Sequence, residues 1–161
     1  LPQAKESLIP ATIIGRDQAG LANTFLLDVG EANDVRVGMP VVVEAGVLIG
    51  RVEKVFANTA VVRVITAEES IINVETTSGA VRGVARGDKG LAVKLDMVEQ
   101  NKELHDGDGL VTSGLGGELP RGLLLGTIHD IRLSDDKLFQ QATVQLPVDI
   151  HSLRFVFVVK P

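Results

Sequence analysis

The chain has 161 residues, enough for one domain or two small ones with a real core, and its 45% hydrophobic content is that of a globular protein. A net charge of −5, with no Trp and no Tyr, argues against a basic, base-stacking nucleic-acid platform. The absence of Cys excludes thiol chemistry and suits an oxidising compartment, and no apolar run reaches membrane-spanning length.

Taken in chain order, residues 1–10 form a polar leader closed by a proline and read as a linker or the end of a preceding helix. Short Val-, Ile- and Leu-rich stretches follow at 12–14, 23–29, 40–44, 47–49, 51–56, 60–66, 71–76, 80–86 and 91–95. A polar stretch at 99–108 has room for a single helical turn. Further strands are predicted at 110–112, 123–133, 138–146 and 155–160. In 138–146 the alternation predicts Leu138, Ala142, Val144 and Leu146 on one face, with Gln140 intruding. No segment holds a 3.6-residue apolar period over three turns, so the elements are strands, spaced as in barrels or a sandwich.

The stretch GVLIGRVEKV at 46–55 returns as GLLLGTIHDI at 122–131, 76 residues later. Upstream, VRVGMPVV, anchored on Gly38, parallels LHDGDGLV, anchored on Gly107, at an offset of 69 residues. The second copy therefore carries seven extra residues within 112–121. Each copy reads as turn, strand, tight turn, strand, with Gly38, Gly46, Gly50, Gly107, Gly114, Gly116, Gly117, Gly122 and Gly126 as structural turn glycines. The expected fold is all-β: two small six-stranded barrel-like domains related by duplication, at 11–84 and 85–161. The last strand is free to return to the first domain.

No catalytic constellation emerges. Ser113 would need a preceding His and Asp, as in a two-barrel protease, yet no His occurs before His105; His129 and His151 lie later still. The glycine-rich run at 112–117 lacks the Lys-Ser/Thr of a phosphate loop, and the Asp106–Asp108 turn lacks the twelfth-position Glu of a calcium loop. Glu68-Glu69 and Asp135-Asp136 are neighbours, which in a strand point to opposite faces. No metal or cofactor is expected. What remains is apolar surface: Leu115 and Leu119 in the insertion, and Val47 and Leu48 after a turn, either contact a partner or plug a barrel end.

The segments DVGEANDVRVGMPVVVEAGVLIGRVEKV, VVRVIT, VRGVARGD, the tail LFQQATVQLPVDIHSLRFVFVV and above all GDGLVTSGLGGELPRGLLLGTIHDI resemble the extracytoplasmic part of the MreC family of rod shape-determining proteins, over residues 11–159. Gly109 departs from the family's pattern, which more often has a non-Gly residue entering that strand. The resemblance implies a non-enzymatic scaffold of the cell-elongation machinery on the periplasmic face. Its partners would be the class B penicillin-binding transpeptidase of elongation, MreD and, through the membrane, MreB. It also implies a homodimer or filament, and a membrane anchor and coiled coil outside this chain. The competing classes are a protease-like double barrel without a complete triad and a nucleic-acid-binding barrel.

Overall fold

The computed structural model describes residues 7–17, 23–44 and 46–161. Residues 1–6 of the expected leader lie outside the described residues. The chain is all-β. Its strands are β1 Ser7–Arg16, β2 Thr24–Leu27, β3 Pro40–Val43, β4 Val47–Val55, β5 Ala60–Val64, β6 Ile71–Thr76, β7 Arg82–Asp88, β8 Ala92–Glu99, β9 Gly109–Thr112, β10 Leu124–Leu133, β11 Phe139–Gln145 and β12 Phe155–Lys160.

Strands β6, β7, β8, β11, β10 and β9 pair in that order, each antiparallel to the next, and β9 returns to β6. They close a six-stranded barrel, which leaves no unpaired edge among its strands. Six further strands pack outside it. Their pairs, also antiparallel, are β3 with β4, β4 with β5, β5 with β2, β2 with β1, β1 with β12, and β12 with β3. The two sets meet at one parallel bridge, Leu124 to Val47, where the Leu124 amide donates to the Gly46 carbonyl at 3.0 Å.

Composition explains the strands. β-Branched residues pack well on a pleated surface, and β5 alternates buried Ala60, Val62 and Val64 with half-exposed Val61 and Arg63. In β3, Pro40 to Val43 are all buried, because this strand is covered on both faces. The core includes Phe25, Leu27, Leu48 and Ile49 in the outer strands and Leu95, Leu110, Leu125 and Ile128 in the barrel. Burial of such side chains stabilises by about 1.5–3 kcal/mol each.

The structure departs from the sequence reading in several places. Ser7 to Pro10 belong to β1 rather than to a linker and pair with β12, Ser7 against Lys160 and Pro10 against Phe157. Pro10 is tolerated because β1 pairs with β2 only from Ile13 onward, so no second ladder needs its N–H. Beyond Glu99, which ends β8, residues 100–108 make turns and bends and no helix; the helical turns among the described residues are two 3-10 turns, Glu31–Asn33 and Ile150–Ser152. Leu138 is exposed although Ala142 and Val144 are buried, because β11 starts at Phe139 and the β11–β8 register slips between Gln140 and Ala142. Strands β6 and β7 both belong to the closed barrel, so strand pairing does not divide at residue 84.

Asp149 caps the second 3-10 turn by accepting from the His151 amide at 3.2 Å. The Ser152 hydroxyl, chiefly, holds its carboxyl below the usual carboxylate range, against the opposing effect of burial. A depressed carboxylate stabilises fully above its unfolded-state pKa, and that contribution is lost as pH falls through the folded value.

The repeated stretches make the same backbone bonds. Gly38 donates to the Val52 carbonyl at 2.8 Å, and Val52 donates to Met39 at 2.9 Å. Gly107 donates to Ile128 at 2.7 Å, and Ile128 donates to Asp108 at 2.9 Å. Both hairpins carry a bulge at the same register. Val42 faces Leu48 while Val41 faces Gly50, and Val111 faces Leu124 while Leu110 faces Gly126.

Gly50 and Gly126 are not turn glycines. Each lies within a strand where the neighbouring backbone comes close: an added Cβ would sit 2.4 Å from the Arg63 carbonyl oxygen or 2.1 Å from that of Gln145. We expect Gly50→Ala and Gly126→Ala each to destabilise by about 1–3 kcal/mol, the cost of overpacking a close-packed site. Gly38→Ala, where nothing lies within 4 Å but φ is +94, should cost less. Denaturant melts of the three variants check the order.

Candidate functional site

Where the outer strands meet the barrel, the loop between β9 and β10 crosses the junction. Its path is set by hydrogen bonds to the strand before it. Thr112 donates its hydroxyl to the Pro120 carbonyl at 2.6 Å and accepts from the Leu123 amide at 2.9 Å, closing the loop at its base. Ser113 donates its amide to the Asn73 carbonyl at 3.0 Å, and the Asn73 side chain donates to the Leu115 carbonyl at 3.3 Å. Gly114, Gly116, Gly117 and Gly122 take left-handed φ, which lets so short a segment fold back on itself. Gly38, Gly46 and Gly107 do the same at their turns.

An ion pair, Arg121 with Glu75, ties the loop to β6. Nε and one terminal nitrogen of Arg121 both donate to the same Glu75 carboxylate oxygen, at 3.0 and 2.7 Å. Glu75 is only 4% exposed. Its negative charge is tolerable there because the arginine caps it from the loop. Removing the cation leaves a buried carboxylate unpaired. Since Arg121 is itself largely exposed, solvent replaces part of the interaction, and Arg121→Ala should cost about 1–2 kcal/mol. A melting temperature lowered by roughly 2–8 °C would show this. Glu75→Gln combined with Arg121→Ala should recover most of the loss.

Two hollows border this loop, and a third adjoins them through shared lining residues. The largest, about 460 Å³, is lined by Val37, Met39, Pro40, Leu119, Pro120 and Val159, among others. A second, of about 250 Å³, shares Val37 and Gly38 with the first and extends past Arg51 to Ile71. A small third hollow joins Arg51 and Ile71 to Leu115, Glu118 and Leu119. The result is one groove between the barrel and the outer strands. Three large apolar side chains stand exposed on it: Val37 at 66%, Ile71 at 53% and Leu115 at 48%.

Of the four sequence-predicted contact residues, the structure leaves Leu115 exposed. Leu119, Val47 and Leu48 are buried in the chain's own core. Val47 and Leu48 face inward because β4 is covered on both faces at its start, and Leu119 folds under the loop as part of the groove wall. Val37 and Ile71 were missed. Val37 lies in the turn before β3 and Ile71 opens β6 opposite Arg86, settings that carry no signal of exposure in the sequence.

The residues weighed for catalysis do not assemble. Ser113 is buried, its hydroxyl accepts from the Leu115 amide at 3.2 Å, and none of its hydrogen bonds reaches a histidine. His105 bonds Glu103 at 2.9 Å, His129 bonds Asp106 at 3.3 Å and Thr127 at 3.0 Å, and His151 bonds the Gly90 carbonyl at 3.0 Å. Among the described residues, no three His, Cys, Asp or Glu side chains converge as metal ligands.

Fold and groove together define a barrel-cored β module with an apolar groove and, among the described residues, no assembled reactive group. The chain belongs to the MreC family: the family model for "Rod shape-determining protein MreC, barrel core" matches residues 13–160. The cell shape-determining protein MreC of Listeria monocytogenes is 28% identical over 157 residues, which are 93% of this chain and 52% of that protein. This chain thus spans about half the length of that relative. Among solved structures, MreC of Listeria monocytogenes superposes with a TM-score of 0.87 at 25% identity, covering 97% of this chain and 76% of that one. The major periplasmic domain of a "cell shape-determining filament MreC" superposes with a TM-score of 0.81 at 27% identity, covering 96% of each. A likeness of fold alone, at 15% identity and a TM-score of 0.74, links the chain to a complex between penicillin-binding protein PBP2 and MreC from Helicobacter pylori, with 98% and 100% covered.

Proposed function

We propose that this chain is the docking part of a non-enzymatic scaffold of the cell-elongation machinery. It would bind and organise a class B penicillin-binding transpeptidase on the periplasmic face and so maintain rod shape. The observation that carries the reading is the groove at the junction, with Val37, Ile71 and Leu115 exposed on it. Large apolar side chains clustered on a concave surface are the usual mark of a protein contact. The Helicobacter pylori relative of like fold is seen with PBP2, and a homologous domain is described as periplasmic. Among the described residues no helix is long and apolar enough to cross a membrane, so an anchor and contacts with MreD and MreB belong to the longer protein in this reading.

The reading extends to architecture. The six outer strands are taken as a second barrel, derived with the first by duplication. Three things support this: their pairs run round in the same sense, the two hairpins share bulge register and backbone bonds, and β12 stands to β1 and β3 as β6 stands to β7 and β9. The division between units then falls at about 67–70, with β12 returned to the first unit, instead of at 84. Self-association as a dimer or filament is also proposed. Leu115 is the proposed contact residue; Leu119, Val47 and Leu48, the other candidates, are buried and contribute packing.

Two measurements test this. A photo-crosslinking residue at Val37, Ile71 or Leu115 should capture the purified transpeptidase ectodomain. Ile71→Asp with Leu115→Asp should weaken binding at least tenfold without lowering the melting temperature; capture only from distant sites such as Leu91 would overturn the reading. Sedimentation across a wide concentration range should show weak association that Leu115→Asp abolishes, and a strict monomer at millimolar concentration would refute it.

A further inference from the structure

Within the groove, the charged side chains do not balance one another locally. Arg63 is spent: it donates to Glu53 at 2.8 Å and to Glu69 at 3.0 Å. Arg51 is not. Its nearest carboxylate is Glu118, at 3.6 Å, too far for a hydrogen bond, and its Nε is buried without a partner. A guanidinium offers five donors in a planar fork suited to a carboxylate, and leaving them unused next to buried surface is costly. At the other end of the groove, Arg36 is exposed and forms no ion pair among the described residues. Glu118 is two-thirds exposed and sits on a loop whose neighbouring Gly116 and Gly117 have no Cβ to crowd it. It is the loosest member of the set. On a chain of net charge −5, this groove presents two under-used guanidinium groups and one weakly held carboxylate.

Resting on the reading of the groove as the docking site, we infer that its occupant is an extended segment of the partner protein carrying an Asp or Glu flanked by apolar residues. The carboxylate takes the Arg51 fork and displaces Glu118. One apolar neighbour enters the 460 Å³ hollow beside Met39, Pro40 and Leu119, and another packs on Ile71 and Leu115. Arg36 adds longer-range attraction. Glu118 then acts as an internal competitor: it occupies the arginine when the groove is empty, lowers affinity for segments lacking a carboxylate, and leaves when one arrives. Charge complementarity selects this occupant over a purely apolar one, since an apolar segment would bury Arg51 with its donors still unmet.

The test uses the transpeptidase ectodomain as the probe against wild type, Arg51→Gln, Arg51→Lys and Glu118→Gln, each checked for an unchanged melting temperature. Arg51→Gln should weaken binding by about ten- to a hundredfold, the worth of a hydrogen-bonded charge. Arg51→Lys should restore only part of it, because an ammonium lacks the fork. Glu118→Gln should strengthen binding about threefold, by removing the competitor. Crosslinks from Val37, mapped by mass spectrometry, should fall on a partner segment with an Asp or Glu within three residues, and changing that residue to its amide should cost as much as Arg51→Gln. Undiminished binding by Arg51→Gln, weaker binding by Glu118→Gln, or crosslinks on a segment without a carboxylate would overturn this inference while leaving the docking site intact. Absence of wild-type binding would overturn the docking reading and this inference with it.

Discussion

The constraint on which the rest depends is the return of β12. The last strand runs back some 150 residues to lie between β1 and β3, with Ala11 against Val156 and Val42 against Phe157. Val156 and Val158 are buried there, so the outer strands take part of their core from the end of the chain. Neither β1 nor β3 can be fully paired until the chain has passed through the whole barrel and returned as β12. Such long-range pairing carries the full loop-closure cost before any contact rewards it, and topologies of this kind fold slowly. The same return shapes the groove. Val159 and Pro161, at the end of β12, form one wall of the groove, and the β9–β10 loop of the barrel forms the other. The site exists only because two parts of the chain far apart in sequence are held side by side.

That dependence explains what could be read from the sequence and what could not. Strand identity was legible because Val, Ile and Leu alternate with polar residues over short, glycine-bounded runs. The 69- and 76-residue offsets were legible too, and they reappear in the hydrogen bonds of Gly38 and Gly107 and in the bulges at Gly50 and Gly126. Local spacing encodes local geometry, so these features survive translation into structure. Which strand pairs with which was not legible. Nothing in the composition of 71–88 says that β6 and β7 join the later strands, because pairing is decided by the closure of a ring and not by any one segment. The full ten-residue length of β1 is not legible because Pro10 reads as a stop in sequence; with a partner on one side only, a proline is no stop.

Exposure of the candidate contact residues was legible only in part. An exposed apolar insertion was a sound inference for Leu115. It failed for Leu119, Val47 and Leu48 because sequence does not say which apolar residues near a turn are covered by another element. Val47 is roofed by β10 through the Leu124 bridge, a contact between residues 77 positions apart. The converse holds for Ile71 and Val37, whose strand-like and turn-like settings gave no reason to expect exposure. Charge was the least legible feature of all. Arg51 and Glu118 look alike in sequence to Arg121 and Glu75, yet one pair bonds at 2.7 Å over a buried carboxylate and the other stands apart at 3.6 Å.

That contrast bears on how one loop can be both fixed and responsive. Arg121 and Glu75, with the Thr112 clamp and the Asn73 contact, hold the base and flank of the 113–122 segment against the barrel. The tip, with Gly116, Gly117 and Glu118, is held by the long Arg51 contact and by the Leu119 side chain beneath it. Tight ionic contacts over a buried partner resist solvent competition, whereas a loose, exposed one is worth about 0–1 kcal/mol and exchanges readily with an incoming group. The loop therefore positions its apolar residues by its base while leaving the charge at its tip free to be replaced. In the proposed docking, a surface of this construction would gain selectivity from one weak internal bond without loosening the barrel that presents it.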